Sequence, residues 1–267
     1  MNEQYREIFT RNIGLFTETE QEKISKARVA IAGVGGIGAL ATERLIRLGV
    51  CNIKITDPGK MEASNLNRQY GSSLLNIGEN KAKVAVEYVK DINPSAKVVW
   101  TETGIRDKKD ADAFLEDCDF LIDVMDFGLF KQSILLQRAA RKKGVHYLFS
   151  TAIGFGAIAV VFDPRGITLE EYNGLPINVN VDDPSQLKVP LEKIVPVMPS
   201  YATDVQMVQD IIDGKRYVPT TSIGAGLAAI MSATEAINVI LGRESPKAPK
   251  YIFCDLVDRQ LVVRDIK

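Results

Sequence analysis

The first 160 residues alternate between short apolar runs and longer amphipathic stretches. "RVAIAGVGG" is a continuous apolar run of strand length, as expected where both faces of a sheet are covered. The segment 37–48 carries apolar residues at helical spacing and stops at Gly49. "NIKITD" predicts a second strand closing at Asp57, and "ENKAKVAVEYVKDINP" a helix halted by Pro94. "AKVVWTET" alternates as a strand, "KKDADAFLED" reads as a helix and "CDFLIDVMD" as a buried strand. "FKQSILLQRAARKKG" is an amphipathic helix with basic residues in its last turn and Gly144 after it. "VHYLFSTAI" and "GAIAVVFDP" predict two further strands. Upstream, "GLFTETEQEKISKARV" predicts a short helix capped by Thr17 or Thr19 with a glutamate three residues on.

Strands alternating with helices predict an α/β fold: a Rossmann-like, doubly wound and mostly parallel sheet. The pattern changes at Asp163. Seven of the eleven prolines lie between Pro164 and Pro219, with little periodicity before "DVQMVQDII". This stretch reads as a crossover or lid held on the surface. "SIGAGLAAIMSATEAINVILG" then predicts a long apolar helix whose glycines and alanines suit close packing. "KYIFCDLVDRQLVVRDI" predicts two strands about a tight turn, an antiparallel C-terminal extension. One domain over 1–267 is expected: an N-terminal helical segment (1–27), a nucleotide-binding core (28–162), the crossover or lid (163–219), and a packing helix with C-terminal strands (220–267).

Composition narrows the function. Lys and Arg number 33 against 34 Asp and Glu, a net charge of −1 that makes a nucleic-acid partner unlikely. No continuous run of about eighteen apolar residues marks a membrane span, and the polar start "MNEQYREIFTRN" is unlike a signal peptide. Cys51, Cys118 and Cys254 are odd in number and scattered. Neither a disulfide framework nor a CxxC zinc pair fits that spacing, so reduced thiols in a cytoplasmic protein without zinc are expected.

The chemistry begins at the glycine turn. Gly33, Gly35 and Gly38 fit G-x-G-x-x-G between a strand and a helix, where backbone N–H groups approach a phosphate at the helix N-terminus. Asp57 ends the second strand, where an acidic side chain accepts hydrogen bonds from ribose hydroxyls. These features fit NAD or any other ligand with a ribose and a phosphate chain. Arg68 and Lys81, thirteen residues apart about a glycine-containing loop, suit the roughly four charges of a triphosphate better than a nicotinamide cofactor.

"GVGGIG", "SNLNRQ", Lys81, "DVMDFGLFKQ" and the late helix, in that order, closely resemble the ThiF/MoeB/HesA family, prokaryotic relatives of ubiquitin-activating E1 enzymes. The resemblance covers most of residues 8–162 and 219–267. It implies an adenylyltransferase: a carboxylate attacks the α-phosphate of ATP, giving an acyl-adenylate and pyrophosphate. It places Gly33, Gly35, Gly36 and Gly38 beneath the nucleotide, Asp57 on the ribose, and Asn65, Arg68 and Gln69 in the N-L-x-R-Q motif. Arg68 would meet the phosphates with Lys81 beside it, and Asp126 would coordinate Mg²⁺. From the residues alone, Asp126 also suits an N-cap on the following helix. "FTRNIG" resembles the family's R-Y-x-R-Q-I segment, which puts Arg11 on an arginine that reaches the neighbouring protomer's ATP and implies a homodimer with composite sites.

Three departures stand out. The family's D-N-x-x-x-R becomes Asp126, Phe127 and Lys131, leaving Lys131 in the arginine's place near the nucleotide. The CxxC zinc pairs of many relatives are missing, and no cysteine lies between Cys118 and Cys254, where thioester-forming relatives carry theirs. The expected chemistry therefore stops at the adenylate or hands it on. His146, the one histidine, suits a structural role, and Ser150 and Thr151 have no base to pair with. The activated carboxylate would be the C-terminal glycine of a ubiquitin-like sulfur carrier, a peptide, or a small molecule. The rival readings are an NAD-dependent oxidoreductase, a non-catalytic nucleotide-binding partner of an E1-like pair, and tRNA modification, the last weakened by the net charge.

Overall fold

The computed structural model describes residues 2–212, 215–216 and 218–266. Met1, Asp213, Gly214, Tyr217 and Lys267, which fall in the expected N-terminal, crossover and C-terminal segments, lie outside the described residues. Helix α1 (Glu3–Ile8) and a 3-10 turn (Thr10–Asn12) precede α2 (Glu18–Lys26). Thr17 caps α2 with a reciprocal bond from Glu20, so the capping box is built from the first of the two candidate threonines. There follow β1 (Arg28–Ala32), α3 (Gly38–Leu48), β2 (Asn52–Thr56), α4 (Lys81–Val89), β3 (Lys97–Thr101), α5 (Lys108–Phe114), β4 (Phe120–Asp123), α6 (Phe130–Lys143) and β5 (His146–Ile153). Next come β6 (Gly156–Phe162), the short helices α7 (Leu169–Tyr172), α8 (Leu191–Ile194) and α9 (Val205–Ile212), then α10 (Ser222–Leu241), β7 (Lys250–Asp255) and β8 (Gln260–Asp265).

The eight strands form one sheet in the order β3-β2-β1-β4-β5-β6-β7-β8. Pairing is parallel from β3 through β5 and antiparallel from β5 through β8. The antiparallel half starts earlier than the C-terminal extension. Only Gly154 and Phe155 separate β5 from β6, too few residues for a crossover, so the chain must fold back as a hairpin.

Helices cover both faces. Val29, Ile31, Leu45, Ile55 and Ile237 pack on the α3, α4 and α10 side, and Leu121, Leu136, Tyr147 and Phe162 on the α5 and α6 side. The proline-rich stretch is not held wholly on the surface: Leu169, Tyr172, Leu175 and Val179 join the α6-side core. Their irregular spacing hides them from a periodicity reading. Helix α10 is long and apolar enough to span a bilayer by composition, with a mean hydropathy of 1.5. Here that apolarity serves the core, because α10 packs on α3, β5 and β6.

The N-terminus of α10 sits on the β5–β6 hairpin. Thr221 caps the helix by accepting from the Gly224 amide and donates its own hydroxyl to the Gly154 carbonyl at 2.6 Å. A methyl group on Gly224 would run into that Gly154 oxygen and lie 3.1 Å from the Gly156 oxygen; on Gly226 it would meet only Leu40 Cδ2 at 3.7 Å. Gly224→Ala should therefore lower Tm by roughly 2–10 °C. Gly226→Ala should hold or raise it, since alanine is favoured over glycine in a helix by up to about 1 kcal/mol. Thermal unfolding of both variants checks this, and equal losses would contradict the packing described.

Candidate functional site

Sheet order reverses between β1 and β4: from β1 the chain steps outward to β2 and β3, then returns to β4 on the other side. In open α/β sheets, ligands bind at the carboxyl ends of the strands flanking such a point. The glycine turn follows β1 there, and the 124–129 loop follows β4. Gly33 has φ +88, and a Cβ on it would lie 2.7 Å from the Val124 oxygen and 2.9 Å from Met125 Cα. Only glycine lets the two loops touch.

The predicted nucleotide residues gather around this turn. Asp57 is buried at the end of β2, its Oδ2 accepting the Val34 amide at 2.7 Å and its Oδ1 the Gly59 amide at 2.7 Å. It braces the glycine turn while each oxygen keeps a second lone pair. A methyl group on Gly36 would lie 3.2 Å from Arg68 Cγ, and one on Gly35 would lie 3.6 Å from Gln69 Nε2. Gln69 is buried, and its Oε1 has no hydrogen-bond partner. Asn65, also buried, accepts the Glu62 amide and so shapes the 3-10 turn (Ala63–Asn65) that presents Arg68. A methyl group on Gly59 would lie 2.9 Å from Asp57 Oδ1 and 3.3 Å from Lys81 Cδ and Cε, so Lys81 and Asp57 flank one loop. Gly38 opens α3 against the Gly33 carbonyl.

The two cations are held without acidic partners. Arg68 Nη1 donates to the Ser64 carbonyl (3.1 Å) and to Asn67 Oδ1 (2.9 Å), both neutral. Among the described residues neither Arg68 nor Lys81 makes an ion pair. Lys131 differs: its ammonium sits 2.6 Å from Asp182 Oδ1 of the crossover, an acidic partner.

Asp126 departs from expectation. Strand β4 ends at Asp123, not Asp126, because Asp123 Oδ1 accepts the Met125 amide at 3.1 Å and turns the chain off the sheet. Asp126 is exposed in the following loop. It does not cap α6, whose N-cap is Leu129 with no side-chain bond. Among the described residues no group of three or more His, Cys, Asp or Glu side chains is arranged to hold a metal. A lone carboxylate still fits Mg²⁺, which commonly binds through one or two carboxylates plus substrate phosphates.

Arg11 is exposed on the 3-10 turn (Thr10–Asn12), whose Asn12 donates to the Leu48 carbonyl at the C-terminal end of α3. The glycine turn lies at the other end of that 11-residue helix, about 16 Å away. The structure therefore does not bring Arg11 to its own chain's glycine turn.

Two site residues escaped the sequence reading. Asn80 caps α4 through bonds from the Ala82 and Lys83 amides, and its Nδ2 donates to the Asp57 and Gly59 carbonyls at 2.8 and 3.1 Å. It thereby fixes Lys81 beside Asp57, and an asparagine before a helical run was the available signal. Asp123 is fully buried, with Oδ2 accepting the Tyr147 hydroxyl at 2.7 Å. Burial raises its pKa, against opposing hydrogen bonds from Ser133, Tyr147 and the Met125 amide.

The remaining candidates are structural. Ser150 donates to the Ile158 carbonyl at 2.8 Å. His146 opens β5 at the end of the strand away from the glycine turn, with Nε2 3.6 Å from Asp163. Burial pushes all three thiols up, so none is an activated nucleophile.

A glycine turn, a buried aspartate that braces it and two cations without ion pairs among the described residues meet at the switch point of a Rossmann-like fold. Residues 9–267 match the ThiF family, and the chain belongs to it. Among its relatives, tRNA threonylcarbamoyladenosine dehydratase of Bacillus subtilis (strain 168) is 29% identical over 53% of this chain and 55% of its own length. Sulfur carrier protein ThiS adenylyltransferase from the same strain is 31% identical over 50% of this chain and 40% of its own. The chain thus spans about half the length of these relatives or less. Crystal structures of E. coli MccB with ATP (TM-score 0.73, 18% identity) and of PaaA (TM-score 0.74, 17% identity) superpose over 100% of this chain and 74% and 75% of theirs, and share its fold.

The buried Asp123 gives a pH test. Between the ordinary carboxyl value of 3.8 and its raised value, the folded state keeps a proton that the unfolded state releases. Its contribution to stability therefore falls as pH rises through that window and is constant below it. Asp123→Asn removes this fall, so the variant should gain on wild type as pH is raised. Urea unfolding across a pH series measures the difference, and a gap that widens against the variant would contradict the raised value.

Proposed function

We propose that the protein adenylates a carboxylate with ATP and Mg²⁺. The observation that carries this reading is the pair Arg68 and Lys81, set against the glycine turn and beside Asp57 with no acidic partners of their own. Two fixed, uncompensated cations suit a triphosphate and lower the repulsion between an attacking carboxylate and a phosphate. An NAD site would leave them without a purpose, and their joint retention speaks against a non-catalytic partner.

In the reaction, a carboxylate oxygen bonds to the α-phosphorus and the α–β bridging bond breaks. Pyrophosphate leaves with that electron pair, and an acyl-adenylate remains. Arg68 and Lys81 orient and neutralise the phosphates, Asp57 accepts from ribose hydroxyls, and the buried Gln69 presents an unpartnered acceptor beside the turn. Mg²⁺, when bound, would be held by Asp126 and would offset phosphate charge. Absence of an activated thiol favours a chain that stops at the adenylate or passes it on. The substrate class is the carboxyl terminus of a ubiquitin-like sulfur carrier, a peptide, or a small carboxylate.

The working unit would be a homodimer. Arg11 lies too far from its own glycine turn to act there, and Ile8, Ile13 and Leu15 (81% exposed) surround it with apolar surface suited to a second copy. In such a dimer Arg11 would serve the partner's phosphates.

Calorimetry should show binding of ATP·Mg²⁺ and none of NAD⁺; the reverse preference would refute the reading. Asp126→Ala should abolish Mg²⁺-dependent pyrophosphate exchange with the fold intact, and Arg68→Ala should lower it by about 10²-fold or more. Full activity in Asp126→Ala would remove the metal assignment.

Arg11→Ala and Asp126→Ala proteins, each inactive or weak alone, should regain activity when mixed. A heterodimer has one site with its own Asp126 and an intact Arg11 from the other chain. Confirmed subunit exchange without recovery would count against action across the dimer.

A further inference from the structure

Asn67 occupies the one position that the N-L-x-R-Q motif leaves open, beside Arg68. Its side chain is exposed, yet its amide makes two bonds of opposite sense. Oδ1 accepts from Arg68 Nη1 at 2.9 Å, and Nδ2 donates at 3.1 Å to the carbonyl of Thr220, 153 residues further along the chain.

The far anchor is itself fixed. Thr220 bridges to Gly154, and Thr221 donates its hydroxyl to the Gly154 carbonyl while capping α10. A methyl group on Gly36 would lie 3.2 Å from Arg68 Cγ and 3.3 Å from Ala225 Cβ. The glycine turn, the arginine stem and the first turn of α10 therefore meet at one point. Asn67 ties the guanidinium to the same corner of the fold.

Both bonds that Arg68 donates use Nη1, the second going to the Ser64 carbonyl at 3.1 Å. Among the described residues Nε and Nη2 donate to nothing. These two nitrogens form one edge of the planar group, with N–H bonds spaced for two oxygens of a phosphate. Holding Nη1 sets that edge before a ligand arrives, so little reorganisation is left to the bound state. The holder must also be neutral. A carboxylate at position 67 would grip Nη1 more tightly but offset the charge the phosphate needs, and it could not donate to Thr220. An amide meets both demands, and an aliphatic side chain meets neither.

We propose that Asn67 is a positioning residue for ATP: it anchors Arg68 Nη1 to the start of α10, leaves the Nε–Nη2 edge for the triphosphate and keeps the guanidinium charge uncompensated. The inference deepens the adenylation reading and rests on it.

The test uses the full chain and measures ATP·Mg²⁺ affinity by calorimetry for wild type, Asn67→Ala, Arg68→Ala and the double variant. Asn67→Ala should weaken binding about fivefold or more, the scale of a hydrogen bond to a charged group. In the Arg68→Ala background the same change should alter affinity by less than about twofold, because the group it acts through is gone. General support of the loop would give the same loss in both backgrounds. Asn67→Asp keeps an acceptor for Nη1, yet it should bind ATP less tightly than Asn67→Ala. That gap should narrow from about 20 to 500 mM salt as the charges are screened. Should Asn67→Ala not fold, Asn67→Ser, too short to reach both partners, replaces it in the cycle. Wild-type affinity in Asn67→Ala, equal losses in the two backgrounds, or Asn67→Asp binding at least as tightly as Asn67→Ala overturns the positioning role and leaves the ATP site standing. A wild type that does not bind ATP, or Arg68→Ala binding it as tightly as wild type, overturns the adenylation reading and this role with it.

Discussion

The contact between Gly33 and the Val124–Met125 backbone is the joint on which the site depends. It brings together the loops that follow β1 and β4 at the point where strand order reverses. A side chain at residue 33 would force the loops apart, and the neighbouring parts would lose their reference. Asp57 bonds the Val34 amide, one residue on from the joint, and Asn80 bonds the Asp57 carbonyl while capping α4. Lys81 is thereby held through three short links to the same glycine turn. On the other side, Asp123 fixes the Met125 amide, and Tyr147 fixes Asp123. The half-buried cations of the site thus hang from a buried polar frame, and the frame hangs from one close backbone approach.

Electrostatics separates the basic residues near this frame more sharply than their number does. Lys131 has a carboxylate at 2.6 Å, whereas Arg68 has only neutral acceptors. A cation already paired has less to gain from a phosphate, because binding exchanges one anion for another. An unpaired cation placed by a rigid turn meets the phosphate with its full charge and little reorganisation. With a formal total of −1 for the whole chain, this is local charge placement, invisible in the composition. The departure from arginine to Lys131 has a structural counterpart here, since a compact ammonium suits the single oxygen of Asp182.

The parallel half of the sheet was legible because its strands are covered on both faces and its helices on one, so periodicity marks each directly. The glycine turn and Asp57 were legible because backbone geometry restricts which residues fit there. The cap of α2 could be narrowed to Thr17 or Thr19, each with a glutamate three residues on, and only the folded chain selects Thr17. Other features arise only when distant residues meet. Asp123 reads as one more member of a strand run, and its place at the strand end depends on a bond to its own loop. Asn80 has no mark beyond a helix cap, since its bonds to residues 57 and 59 are tertiary.

The crossover is where pattern reading and packing diverge most. Its first part, near residues 169–179, is built into the core, with Arg138 bonding both the buried Glu170 and the Val179 carbonyl. Lifting it would expose Leu169, Tyr172 and Leu175 together and strand a buried carboxylate, a cost beyond that of ordinary loop motion. Its later part is tied by the Tyr201 hydroxyl, which accepts the Phe155 amide and donates to the buried Asp255, and by Ser200 to Asp258. The packing therefore makes the first part of the crossover a fixed wall over the α6 face of the sheet.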